Sequence, residues 1–316
     1  MDARKLRHLA EYGIFSGVVF LIQALPVAAA ERMADTLAWV VHRLPARLNR
    51  RHVAEANLRS AFGDLAADEL NRMIIGMWQH LFRMVCEIVQ MRRRLRLETS
   101  GEILDFRWRN ECVQALLSGR RVICLGGHFG NWEISVNALG HFGFPMGVIV
   151  RDLDNPWLHR WFQTFRESSG NWMISKNGGG PEVVQSLESC GMVSLLCDQD
   201  AGPRGVFVDF FGQQASTFKS IALLALQYDA LVVVGGGLRI PRNQSTRTNW
   251  VPFLLATETV IDTREFDRPD AMNQLTQRFT SALEDLVRRA PEQYFWVHRR
   301  WKSEPRTRRR VIHRAA

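Results

Sequence analysis

Cysteine is scarce and unpatterned in this chain: five in 316 residues, none in a C-x-x-C pair. Cys86, Cys112, Cys124, Cys190 and Cys197 form an odd set that supports neither a disulfide framework nor a zinc site, and they favour a reducing cytoplasmic environment. Also missing are G-x-S-x-G, G-x-G-x-x-G, the Walker A pattern and H-E-x-x-H. A serine-nucleophile elbow, a dinucleotide site, a phosphate loop and a zinc-protease helix therefore lack their signatures. The histidines are scattered without metal-ligand spacing, so no metal and no cofactor is expected. The aromatic–basic motifs of RNA-binding modules are absent, and nucleic acid is not an expected partner. No internal repeat and no long low-complexity linker divides the chain.

What is present begins with positive charge. Lys and Arg number 41 against 32 Asp and Glu, a net +9, which points to an anionic partner such as a membrane surface or an acidic protein. Near the N-terminus, residues 12–30 run for 19 positions without a charge, close to the minimum for crossing a bilayer. Arg4, Lys5 and Arg7 precede the run; Arg32, Arg43, Arg47 and Arg50 follow it. Residues 1–30 are expected to form a membrane anchor, spanning or lying in the interface. A signal peptide ending at Ala28–Ala30 and a buried core helix, favoured by Gln23 and Pro26, are the alternatives.

Beyond the anchor, residues 31–316 read as a single domain in three portions: helical over 31–95, α/β over 96–298, and a basic tail over 299–316. Apolar residues recur at helical spacing at Met73, Ile74, Met77, Leu81, Val85 and Ile88. After about residue 120, short β-branched runs at 122–125, 146–150, 193–197 and 231–234 alternate with helical stretches near 131–141, 155–169, 181–190, 217–228 and 270–290. That alternation predicts an α/β fold with a mostly parallel central sheet flanked by helices. The tail carries Arg299, Arg300, Lys302, Arg306, Arg308, Arg309, Arg310 and Arg314.

The segment with chemistry in it is VICLGGHFGNWE, residues 122–133. A buried strand runs into Gly126 and Gly127, then His128, Gly130, Asn131 and Glu133, before an apolar helix. Side chains five apart do not share a helix face. If His128 ends the strand and Glu133 sits in the first helical turn, however, the two can meet. A carboxylate on Nδ1 would leave Nε2 free as a general base, and the helix N–H groups could stabilise an oxyanion. The plain alternative is a satisfied core histidine beside a helix-start carboxylate. With no serine or cysteine elbow, the chemistry would be direct: His128 takes a proton from a hydroxyl that attacks an activated acyl group.

These residues resemble the late acyltransferases of bacterial lipid A biosynthesis, within the lysophospholipid acyltransferase superfamily. The H-x-x-x-x-[DE] signature is present as His128–Glu133 in the form HFGNWE. Three more blocks match in order: VRDLDNPW at 150–157 with Arg166 and Gly170, DQDAGPRGVFVDFFG at 198–212 with Thr217, and APEQYFWVHRRWK at 290–302. The resemblance implies an O-acyltransferase with His128 as base and Glu133 as its catalytic partner. It makes Asn131, Arg151, Arg166 and Asp198 candidates for substrate binding. The donor would be an acyl thioester of acyl carrier protein or coenzyme A, and the acceptor a glycolipid such as a lipid A precursor. The place would be the cytoplasmic face of the inner membrane. No Glu-Gly-x-Arg-Ser motif of the glycerolipid branch is present, and Asp152 and Asp209 depart from the lipid A pattern, so the acceptor stays open. Another lipid, a mannosylated phosphoinositide or an aminolipid, is the alternative; a thioesterase and a non-catalytic basic membrane binder are further ones. Phe207, Phe210 and Phe211 read either as an acyl-channel lining or as core, and Thr217 as the cap of the following helix.

Overall fold

The computed structural model describes residues 2–189, 191–244, 248–266 and 269–305. Five helices come first: α1 (Ala3–Ala24), α2 (Val27–Arg43), α3 (Ala46–Asn49), α4 (Arg51–Phe62) and α5 (Ala67–Arg94). Then α6 (Ser100–Ile103), β1 (Leu104–Arg107), α7 (Arg109–Leu117), β2 (Val122–Gly126), α8 (Trp132–His141) and β3 (Gly147–Val150) follow. After them come α9 (Pro156–Glu167), β4 (Trp172–Ser175), α10 (Gly180–Ser189) and β5 (Met192–Leu196). A hairpin of β6 (Val206–Phe210) and β7 (Gln213–Thr217) leads to α11 (Lys219–Gln227), β8 (Leu231–Arg239), β9 (Phe253–Asp262) and α12 (Ala271–Arg289).

Seven strands form one sheet in the order β1-β9-β8-β2-β5-β3-β4, and only the β8–β9 pair is antiparallel. The central strands are apolar at successive positions because both faces are covered. Val122 and Cys124 of β2 pack with Ala115, Leu116 and Val233 on one side. Ile123 and Leu125 join Val193, Val232, Phe279 and Leu283 on the other. The mostly parallel α/β sheet is as the alternation predicts. The sequence reading did not resolve β1, β4, β9 or the β6–β7 hairpin. In β9 the apolar run is interrupted by Thr257, Glu258 and Thr259, which obscures its period.

The uncharged N-terminal run is not one helix. Leu25 is extended (φ −76°, ψ 139°) and Pro26 caps the start of α2. Proline has no N–H to donate and pushes its predecessor out of the helical region, so the helix ends there. Among the described residues, no helix is long and apolar enough to cross a membrane. The α1–α2 hairpin packs Val19, Ile22, Ala30 and Ala34 against Cys86 and Val89 of α5. Its other side carries exposed apolar side chains, with Ile14 71% and Phe20 75% exposed.

The expected cap of α11 changes, and the core alternative holds for Phe210 and Phe211. Thr217 ends β7 instead of capping α11, and its hydroxyl accepts from Arg300 at 2.7 Å. Phe210 and Phe211 are core, packed with Phe62, Tyr294 and Trp296, and line neither large cavity. Arg300 of the basic tail is 2% exposed and therefore interior, while its neighbours Arg299 and Lys302 are exposed. Arg306, Arg308, Arg309, Arg310, Arg314 and Cys190 lie outside the described residues.

Candidate active site

Parallel pairing sets the site. β2 and β5 run in register to Gly126↔Leu196, so the second residue beyond each strand, His128 and Asp198, arrive side by side. The His128 backbone N–H donates to Asp198 Oδ2 at 2.8 Å, and the ring Nδ1 lies 2.8 Å from Asp198 Oδ1. An ionised carboxylate only accepts, so Nδ1 carries the proton and Nε2 holds the free lone pair of the neutral ring. Asp198 is fully buried. Burial opposes its ionisation, but the facing His128 outweighs burial and holds the carboxyl well below the usual range. Burial likewise opposes protonation of His128, and Asp198 reverses this, raising the imidazole above its ordinary value.

Two glycines make the turn possible. A Cβ on Gly127 would come within 2.8 Å of Leu283 Cδ1. Gly130 has φ +58°, and a Cβ there would stand 2.3 Å from the Gly237 carbonyl oxygen.

Glu133 does not reach His128 Nδ1, which corrects the expected pairing. From the first turn of α8 it forms a bidentate pair with Arg166 of α9, Nε–Oε2 3.0 Å and NH2–Oε1 2.6 Å. The pair is largely buried and lies beside the histidine, so Glu133 still favours its protonation. Two donors of Arg166 are thereby taken, which removes them from the anion-binding role expected of that residue. Asn131 is also committed internally. It is fully buried, its Oδ1 caps α8 at the Ile134 N–H, and its Nδ2 donates to Glu87. The helix-start N–H of Ile134, offered by the sequence for an oxyanion, is used by that cap. Arg151 follows β3 and is exposed on the wall of the cavity that His128 opens into.

That cavity is about 970 Å³ and lies where the sheet forks. β3 pairs with β5 only at Gly147↔Val193 and Val148↔Ser194, then diverges. The opening stands beyond the strands' C-terminal ends, the usual ligand position in such sheets. His128, Trp132, Glu133, Arg151, Arg166 and Lys176 line its polar part, above Val148, Ile149 and Leu195. A second cavity of about 520 Å³, lined mainly by apolar groups such as Phe106, Val113, Leu139 and Met146, meets the first at Trp132 and Val136.

Sequence reasoning missed Lys176, Trp132 and His298 as neighbours of the histidine. Trp132 stands edge-on to His128 with centroids 5.1 Å apart, and His298 at 4.6 Å. Burial, then the charge of His128, lowers His298 to about 4, so that ring is neutral at physiological pH. His298 sits in the C-terminal WVHRRW block, which was the one available signal. Cys197, next to Asp198, is pushed up to about 12 by burial and is no thiolate nucleophile. Among the described residues, no group of three His, Cys, Asp or Glu is placed to hold a metal.

Residues 2–303 match the family described as bacterial lipid A biosynthesis acyltransferase. The lipid A biosynthesis lauroyltransferase of Escherichia coli (strain K12) is 25% identical over 294 residues, covering 92% of this chain and 90% of that protein. The lipid A biosynthesis palmitoleoyltransferase of the same organism is 27% identical, covering 81% and 80%. The phosphatidylinositol mannoside acyltransferase of Mycolicibacterium smegmatis is 27% identical, covering 66% and 69%.

Proposed function

Since the chain belongs to the bacterial lipid A biosynthesis acyltransferase family and is an O-acyltransferase, we propose that it moves a fatty acyl group from an acyl carrier protein thioester to a hydroxyl of a lipid A-type glycolipid. The observation that carries this reading is the Asp198–His128 pair opening onto the forked cavity. His128 Nε2 removes the proton of the acceptor hydroxyl as its oxygen bonds to the thioester carbonyl carbon. The buried Asp198 carboxylate stabilises the imidazolium that forms. The tetrahedral centre then collapses, the C–S bond breaks, and the sulfur leaves with the proton from His128. No acyl-enzyme is needed, in keeping with the raised thiol of Cys197.

The two cavities suit two apolar chains meeting near His128: the smaller, more apolar one for the donor acyl group, the larger for the acceptor. Arg151 and Lys176 give the larger cavity a cationic wall for an anionic acceptor. The Glu133–Arg166 pair stiffens the wall between α8 and α9. The exposed apolar side of α1 supports a seat in a membrane interface, and the proposed acyl carrier protein donor would put that seat on the cytoplasmic face of the inner membrane. The similarity to a phosphatidylinositol mannoside acyltransferase favours a mannosylated phosphoinositide as the second acceptor class.

The test is direct. Purified protein is incubated with acyl carrier protein thioester and a lipid A precursor, and the lipid is weighed by mass spectrometry. A gain of one acyl chain, absent in His128→Ala, is expected. No gain on this acceptor but one on a phosphoinositide mannoside would move the assignment to the second class.

A further inference from the structure

A buried polar cluster lines neither cavity and has no part in the proton transfer described above. It consists of His80 and Glu87 on α5 and Arg239 at the end of β8, with His80 6% and Glu87 3% exposed. Arg239 Nε donates to Glu87 Oε1 at 2.5 Å, and its NH1 lies 2.6 Å from His80 Nδ1. A guanidinium can only donate, so His80 Nδ1 accepts and the ring proton sits on Nε2. That Nε2–H donates to the Gly130 carbonyl at 3.0 Å. The other oxygen of Glu87 accepts from Asn131 Nδ2 at 2.8 Å.

Other backbone groups of the loop are held as well. Gly130 N–H donates to Gln293 O at 2.9 Å, Asn131 N–H to Gly237 O at 2.7 Å, and His128 O accepts from Phe295 N–H at 3.0 Å. Gln293 is itself fixed on Arg239, accepting from its N–H and donating to its carbonyl. Burial, then Arg239, keeps His80 well below its ordinary pKa and therefore neutral.

A desolvated Arg–Glu pair adds little net stability, and an apolar cluster would join α5 to β8 as well. What the polar groups supply is direction. We propose that His80, Glu87 and Arg239 are positioning residues that hold the 128–131 loop at the angle His128 needs to take its proton. The kinetic consequence rests on the acyl-transfer reading; the geometric one does not.

Two readouts on the full chain in detergent micelles separate them. His80→Phe removes the donor to Gly130 O, while His80→Gln restores one. For His80→Phe, kcat is expected to fall about 10–100-fold with KM for the acyl donor within about twofold, since a displacement near 1 Å can cost 10²-fold. His80→Gln should recover most of the loss. An unchanged kcat per folded molecule, judged by circular dichroism, overturns the proposal. The second readout is NMR of ¹⁵N-labelled histidine, which follows His128 without any substrate. The wild-type Nδ1–H signal should show the bond to Asp198, and His80→Phe should weaken it and move the His128 titration midpoint. An unaltered His128 signal overturns the proposal even where no transfer is seen. A wild-type protein without transferase activity whose His128 signal moves in His80→Phe supports the positioning role and counts against the acyl-transfer reading. If His80→Phe fails to fold, Glu87→Gln is read by the same two measurements.

Discussion

At the residue scale, the acid–base role proposed above rests on His128 and Asp198, a pair seventy positions apart in sequence that strand register brings together. Replacing His128 with Ala is expected to lower transfer about 10²–10⁴-fold while the protein stays folded, because that is what a general base contributes. A rate within a few-fold of wild type removes the assignment. Asp198→Asn is expected to lower kcat and also to shift the acid limb of the kcat–pH profile to lower pH. A base at His128 would work as the neutral ring, and Asp198 raises the pKa of that ring against burial. The amide has one acceptor oxygen where the carboxylate has two, so it cannot accept from both the His128 backbone N–H and the ring Nδ1–H. The signs for stability run the opposite way for the two groups. The depressed Asp198 carboxyl stabilises above its unfolded value of 3.8, and this is lost as pH falls. The raised His128 stabilises below 6.5, and this is lost as pH rises through the folded value. The thermal-stability gap between wild type and Asp198→Asn should therefore be widest between those two pH values. Glu133→Gln leaves Arg166 buried without its counter-charge and should cost roughly 3 kcal/mol in denaturant unfolding. Adding Arg166→Met should return part of it; no recovery would mean that the pair does more than compensate charge.

At the scale of elements, α5 connects the two halves of the molecule. His80 and Glu87 reach the 128–131 loop and β8, Arg83 grips Asp35 of α2 at 2.7 and 2.6 Å, and Gln90 donates to the Ile22 and Leu25 carbonyls that end α1. One face of α1 is thus held, and the opposite one is exposed among the described residues. Ile14, Val18 and Leu21 stand four and three apart on the exposed side, with Phe20 beside them. If that face enters the lipid interface, Ile14→Glu with Phe20→Glu should release the protein from anionic vesicles in a flotation assay. Each apolar side chain is worth about 1.5–3 kcal/mol on burial. Undiminished flotation would assign the attachment to another surface.

At the scale of the whole molecule, net charge and topology act together. Arg92, Arg93 and Arg96 are exposed at the end of α5, and Arg93 is tied to the Gln23 carbonyl at 2.9 Å, so the cluster borders α1. Acyl carrier proteins are acidic, and a basic surface beside the exposed apolar face of α1 would suit the carrier donor proposed above. Arg92→Glu with Arg96→Glu should raise KM for the carrier-bound donor and change kcat little. Salt should imitate the substitution, since exposed charges are screened over about 8–10 Å at physiological strength. A coenzyme A thioester should be less sensitive. Insensitivity of the carrier-bound donor to both would point these arginines at lipid headgroups instead.

The sequence alone determined the local periodicities: strands at 122–125, 146–150, 193–197 and 231–234, each starting within a residue of the one observed, the helices between them, and the glycine-flanked turn that presents His128. Those features are set by neighbouring residues and by burial on both faces, and they read directly as β-branched runs and helical spacing. Tertiary structure alone decided which carboxylate serves the histidine. Glu133 is near in sequence but is drawn to Arg166 across α8 and α9, while Asp198 is distant yet in register beside β2. It also decided that Val85 is exposed and Glu87 buried, although helical spacing predicts an apolar core position for the first. A buried charge is tolerated only where a partner is supplied by another element, and no local pattern records where that partner will stand.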